Sequence, residues 1–133
     1  MQSEDGALLR KLGLSAKLRS YTLHAPAGYN MIVPYPVALA RIDDLPPNLE
    51  WLQAFYTTAE LLDHEITHMK ASLSSTGQLW LCWPKKSAAT KSDLSDGVVR
   101  RFGLQAGLVD VKVVAIDQTW SALKFVYHLE DRS

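Results

Sequence analysis

Two histidines and a glutamate form the sequence H-E-I-T-H at positions 64 to 68. In zinc proteases the pattern H-E-x-x-H places both histidines on one face of a helix as metal ligands, and its glutamate acts as general base. Here no strong third ligand follows soon after His68, and the apolar residues of the segment fall on a neighbouring helix face. We therefore predict no metal site and interpret His64, Glu65 and His68 as a solvated helix face, with zinc binding as the alternative.

A second group of polar residues follows the apolar run at 79–83, which Pro84 ends. Lys85, Lys86 and Ser87 come next, and such ammonium and hydroxyl groups hold small anions through charge-assisted hydrogen bonds. The run has apolar side chains on both faces of an extended chain. Both faces of such a strand need cover, so we predict a central strand of a layered α/β domain with the lysines at its carboxyl end.

The other elements are predicted from turn residues and apolar periodicity. Strands are expected at 18–24, 37–42, 49–56, 77–83, 109–116 and 122–129, of which the last two form a hairpin. Helices are expected at 7–12, from a capping box at 57–60 to Leu73, and after a cap at Ser92 or Asp93. Gly103 and Gly107 are expected to end the last helix, and residues 1–6 to be disordered. The 133 residues fit one domain, 1–133.

Parallel strands bring their carboxyl ends to one edge of a sheet, and ligands bind in a crevice at that edge. The predicted strands place seven candidate ligand-binding residues there: His24, Gly28, Lys85, Lys86, Ser87, Asp117 and Trp120. In the functional interpretation the lysines, the serine and backbone amides hold a small anion, and the tryptophan forms an apolar wall. The alternative is a loop solvated by its lysines, with the aspartate as turn former and the tryptophan in the core.

Charge and composition exclude several classes of partner. The chain has 14 basic and 14 acidic residues and no basic block, so we predict neither a nucleic-acid nor a membrane partner. Its single cysteine, Cys82, lies in an apolar strand and is interpreted as an inert core thiol. The amino-terminal residues lack the apolar run of a signal peptide, so a cytoplasmic location is expected.

Three segments carry a resemblance: W-P-K-K-S at 83–87, G-L-V-D-V-K-V at 107–113 and A-I-D-Q-T-W-S-A-L-K-F-V at 115–126. Together with the order of elements they resemble an uncharacterised bacterial family of unknown function with a truncated class I S-adenosylmethionine-dependent methyltransferase fold. The resemblance implies a three-layer, Rossmann-like, mostly parallel sheet with a carboxyl-terminal antiparallel hairpin. It also implies that the last strand lies beside the strand at 77–83.

The loop after the first strand departs from the methyltransferase pattern. Residues 24–28, H-A-P-A-G, keep one glycine where several let the backbone approach the cofactor, and Pro26 removes a backbone donor. No cofactor is predicted, and S-adenosylmethionine (SAM) is not expected in its usual pose. Asp43, 19 residues after His24, is either a ribose ligand or a solvated turn residue. Three functions stay open: binding of a small anionic metabolite or nucleotide, a non-enzymatic interaction module, and an active methyltransferase.

Overall fold

The computed structural model describes residues 3–29 and 33–132 of the chain. Within these residues, six strands form one sheet with helices on both faces. The elements in chain order are α1 (Ser3–Lys11), β1 (Ser20–Leu23), β2 (Val37–Leu39), a 3-10 turn (Ile42–Asp44), β3 (Leu49–Phe55), α2 (Ala59–Ser72), β4 (Leu73–Pro84), α3 (Asp96–Gln105), β5 (Leu108–Ala115), β6 (Trp120–Tyr127) and a second 3-10 turn (Leu129–Asp131). The first helix therefore begins within the segment that was expected to be disordered.

The strand order across the sheet is β2-β1-β3-β4-β6-β5. Strands β2, β1, β3 and β4 run parallel, and β6 lies antiparallel between β4 and β5. The predicted α/β sheet with an antiparallel carboxyl-terminal hairpin is thus confirmed. The chain passes from β1 to β2 on one side and then to β3 on the other, so the order of the sheet reverses at β1.

Strand β4 is buried along most of its length because both faces of the sheet are covered. On one face, side chains of α2 and α3 pack against β3, β4 and β6 in a cluster that includes Met69, Val99 and Phe125. On the other face, residues that follow α1 and β1 cover Trp51 and Trp80. The two clusters explain why the apolar run at 79–83 lacks the alternation of a strand with one face in water.

The helix boundaries differ from the predicted ones because other side chains than the predicted ones cap the helices. Helix α3 begins after Ser95, whose Oγ accepts a hydrogen bond from Val98 N at 3.3 Å. Asp93, a predicted cap of α3, instead accepts from Ala59 N at 2.8 Å and serves the first turn of α2. Strand β4 starts at Leu73, directly after α2, without an intervening turn residue.

The described helices are too short or too polar to cross a lipid bilayer.

Candidate functional site

A crevice of about 500 Å³ opens at the carboxyl edge of β1 and β2. Its walls are the loop that follows β1, from His24 to Tyr29, and the end of β2, from Ala38 to Ala40. This volume falls within the range of small-molecule sites in proteins. The crevice also lies next to β1, where the order of the sheet reverses and where ligands bind in open α/β sheets.

His24 has an unusual backbone conformation at the start of this loop. Its φ of 59° lies in the left-handed region, which costs a non-glycine residue about 1 kcal/mol or more. Two contacts hold the residue in place: its backbone N–H donates to Leu39 O at 3.1 Å, and its ring Nε2 lies 2.9 Å from Glu65 Oε1. The imidazole also stands edge-on against the ring of Tyr56, with 5.4 Å between the ring centroids.

Glu65 is buried between α2 and the sheet, with 11% of its side chain exposed. Besides His24, it accepts a hydrogen bond from the hydroxyl of Tyr56 at 2.7 Å. Burial, and next the hydrogen bond to Glu65, raise the pKa of Tyr56 far above its ordinary value, so its hydroxyl stays a donor at neutral pH. The three side chains form one connected polar group beside the crevice.

The prediction that Glu65 lies on a solvated helix face is wrong. His64 and His68 are exposed as expected, but Glu65 stands three residues after the buried Leu62 and four before the buried Met69. That spacing places it on the apolar stripe of α2, and this was the signal that sequence reasoning missed. Among the described residues, no three His, Cys, Asp or Glu side chains are grouped as metal ligands would be.

The seven predicted ligand-binding residues do not form one site. His24 and Gly28 line the crevice beside β1, whereas Lys85 and Lys86 line a second crevice of about 450 Å³ in the loop after β4. That second crevice also includes Lys91 and two hydroxyl-bearing residues, Thr90 and Ser92. Ser87 is exposed in the same loop and lines neither crevice.

Asp117 serves as a turn former, the alternative role considered for it. Its Oδ1 accepts hydrogen bonds from the backbone N–H groups of Thr119 and Trp120, each at 2.8 Å. The turn lies at the carboxyl edge, because Lys85 N donates to Thr119 O at 2.7 Å. The lysine loop and the turn are therefore joined by backbone, and the carboxylate of Asp117 is engaged by its own turn.

Trp120 lies at the predicted edge, opposite Pro84 in the register of β4 and β6. Its ring packs edge-on against Phe55 at 5.0 Å between centroids, and Phe55 packs in the same way against Tyr29 at 4.8 Å. The half-buried indole is thus one end of an aromatic row that reaches the first crevice through Tyr29. Trp120 itself is not among the residues that line either crevice.

Comparison with known proteins gives structural matches only. No model of a protein family matches the sequence, and no curated protein matches it. A SAM-dependent methyltransferase from Aquifex aeolicus matches with a TM-score of 0.66 and 13% identity, over 92% of this chain and 88% of that one. A putative type 11 methyltransferase from Sulfolobus solfataricus matches with a TM-score of 0.63 and 9% identity, over 93% of this chain and 91% of that one. Magnesium protoporphyrin IX methyltransferase (ChlM) from Synechocystis PCC 6803, with bound SAM, matches with a TM-score of 0.63 and 12% identity, over 95% of this chain and 77% of that one.

The chain has the fold of class I SAM-dependent methyltransferases in a short form. ChlM was also crystallised with S-adenosylhomocysteine (SAH); in that structure the match covers 74% of this chain, which spans about half, 55%, of ChlM. The sequence-based prediction of no cofactor is contradicted by these structures, because a protein of the same fold is crystallised with SAM and with SAH. That prediction depended only on the small number of glycines in the loop after β1 and on Pro26.

Proposed function

We propose that the chain binds SAM or SAH in the crevice between the loop after β1 and the end of β2. The observation that carries the proposal is the position of this crevice, outside the carboxyl ends of parallel strands at the reversal of the sheet order. The fold it shares with the SAM-binding ChlM adds support. Of the three functions considered from the sequence, the methyltransferase is therefore preferred to the non-enzymatic interaction module, which no observation favours.

The loop after β1 has the groups that a nucleoside cofactor with a charged amino-acid end requires. The backbone N–H groups of Ala25, Ala27 and Gly28 donate to no acceptor in the described part of the chain, and backbone N–H groups beside a crevice can donate to a carboxylate or hydroxyl of a ligand. Gly28 has a φ of 80° and no atom within 4 Å of the position of a Cβ, which leaves its backbone open to a ligand.

The end of β2 supplies an apolar wall. Leu39 and its alanine neighbours line the crevice on that side, where an adenine ring would find apolar contact. Asp43 does not line the crevice: it lies exposed in the 3-10 turn and pairs with Arg41 at 3.4 Å. When bound, SAM supplies a methyl group on a cationic sulfur. The loop after β1 and the end of β2 would bind and orient it.

Isothermal titration with SAH tests the proposal. Ala40→Phe fills the crevice from the β2 side and should weaken binding at least about tenfold, the loss of about 1.4 kcal/mol. Ala89→Phe is the matched control, because Ala89 is also exposed but lines the lysine-rich crevice after β4. Equal affinities for the wild type and Ala40→Phe, or no binding of SAH to the wild type, would refute the proposal.

The second candidate function is the small anionic ligand predicted from sequence. It is supported by the crevice after β4, which is lined by Lys85, Lys86 and Lys91. Titration with inorganic phosphate and with nucleotides should give salt-sensitive binding that Lys86→Gln weakens. Lys17→Gln, at an exposed position before β1, serves as the control of equal charge change. Binding that responds equally to both substitutions would be non-specific and would count against this site.

A further inference from the structure

The first crevice is poor in polar side chains. Among the described residues that line it, only His24 and Tyr29 have polar side chains, and no described carboxylate lines it. The hydroxyl of Tyr29 is buried and accepts a hydrogen bond from Gln53 Nε2 at 2.7 Å. His24 keeps 23% of its side chain exposed. Among the described side chains, His24 is therefore the one that can form a hydrogen bond with a ligand hydroxyl in this crevice.

Glu65 determines which nitrogen of His24 can accept a hydrogen bond. A carboxylate only accepts, so the close approach of Glu65 Oε1 to Nε2 requires the imidazole proton on Nε2. The neutral ring then has its lone pair on Nδ1, which has no hydrogen-bond partner in the described part of the chain. Tyr56 holds the same Glu65 oxygen with its hydroxyl and so fixes the carboxylate beneath the ring.

We infer that His24 Nδ1 forms a hydrogen bond with a ribose hydroxyl of the ligand, and that Glu65 is the positioning residue that anchors the imidazole for this contact. The inference rests on the proposed function, because a nucleoside ligand supplies the hydroxyls. It gives the crevice the hydroxyl acceptor that Asp43, exposed and paired with Arg41, does not supply. It also gives a purpose to a left-handed non-glycine residue, a strain that typically marks functional sites.

The test compares SAH with its 2′,3′-dideoxy analogue, which lacks both ribose hydroxyls. The wild type should bind SAH about five- to tenfold more tightly than the analogue, the range of one net hydrogen bond. Tyr56 and His24 contact the same oxygen of Glu65, so the amide oxygen of Glu65→Gln can accept from both and should keep the preference for SAH. Glu65→Leu removes that oxygen and leaves the imidazole without its anchor, so the preference for SAH should fall to about onefold while the analogue binds as before.

Nitrogen-15 NMR of the His24 ring gives a readout independent of affinity. The wild type and Glu65→Gln should show the Nε2–H tautomer, and Glu65→Leu should lose that bias. Glu60→Leu is the matched control, because Glu60 is exposed on the same helix and touches neither residue. His24→Gly is a second variant that does not depend on the folding of Glu65→Leu: glycine adopts the left-handed region without cost and removes the imidazole, so the preference for SAH should again disappear.

The outcomes separate this inference from the proposed function. A wild type that binds SAH and the dideoxy analogue equally well, or that shows the Nδ1–H tautomer, overturns the inference and leaves cofactor binding intact. An unchanged preference in His24→Gly, or in a folded Glu65→Leu, does the same. A wild type that binds neither compound refutes the proposed function, and the assignment of the ribose hydroxyls falls with it.

Discussion

Gly103 lies inside helix α3 at the point where the helix touches the sheet. A Cβ at this position would lie 2.0 Å from Cε1 and 2.3 Å from Cζ of Phe125, far inside ordinary contact distance. Phe125 is fully buried on β6, whose backbone is paired on both sides with β4 and β5. Neither the ring nor the strand can therefore move away without disturbing packed neighbours. The sequence-based expectation that Gly103 ends the helix is wrong for the same reason: the glycine permits close packing.

The expected cost of Gly103→Ala follows from two opposing terms. Overpacking of a well-packed core costs about 1–3 kcal/mol, and replacing glycine by alanine inside a helix returns up to about 1 kcal/mol. We expect a net loss of about 1–2 kcal/mol in the free energy of unfolding. Gly97, in the first turn of the same helix, has no atom within 4 Å of a Cβ, so Gly97→Ala should be neutral or stabilising by up to about 1 kcal/mol.

Urea unfolding followed by tryptophan fluorescence measures both variants, with the slope m as a check that the unfolded state is unchanged. Phe125→Leu should partly relieve Gly103→Ala, so the double variant should lose about 0.5 kcal/mol or more less than the sum of the single losses. Equal effects of the two alanine substitutions would refute the reasoning, because helix propensity alone would then explain both. Strict additivity with Phe125→Leu would show that the ring is not what the new methyl group meets.

Three further predictions concern the edge of the sheet. Trp120→Ala should cost about 2–3 kcal/mol in urea unfolding, less than a fully buried tryptophan, and a loss below about 1 kcal/mol would remove the indole from the core. Burial raises the pKa of the Cys82 thiol, so thiol reagents should label Cys82 only in urea. Because the thiol ionises at lower pH in the unfolded chain than in the folded one, the free energy of unfolding should fall as pH rises above about 8.5. Cys82→Ala should show a smaller fall. His24→Gly should lower the free energy of unfolding by about 1 kcal/mol or more, because Glu65 loses a buried partner. Asn48→Gly, at an exposed residue with a φ of 62°, should be neutral or stabilising. Equal stabilisation by both substitutions would argue against the contact between His24 and Glu65.

The arrangement of the sheet was predictable because it depends on burial alone. An apolar run with side chains on both faces requires cover on both faces, and β4 has it. The hairpin at the carboxyl terminus then placed Trp120 beside Pro84, since an antiparallel strand starts where its neighbour ends. Element boundaries were less predictable: the apolar stripe of α2 continues into β4 at Leu73, and no turn residue marks the change.

Which residues share one crevice was not predictable, because the carboxyl edge of the sheet is wider than a single ligand site. Parallel topology correctly brought the loops after β1 and β4 to one edge, but β3 lies between these strands. Two strand spacings amount to about 10 Å, and the loops diverge further beyond the sheet. Lys85 and His24 therefore line different crevices. The pairing of Glu65 with His24 was not predictable for the opposite reason: His24 follows β1, 41 residues away in sequence, and only the folded sheet shows that the two side chains meet.

The residues at the end of β1 connect the fold to the proposed ligand. The chain turns sharply here, and the left-handed conformation occurs both at Gly28, where glycine adopts it without cost, and at His24, where it costs free energy. Glycine at position 24 would remove that cost but also the side chain that meets Glu65. The buried Glu65 would then keep only Tyr56, and an incompletely paired carboxylate is costly in a core. His24, Glu65 and Tyr56 therefore stabilise one another, and the same contacts that offset the backbone strain fix the imidazole at the crevice wall.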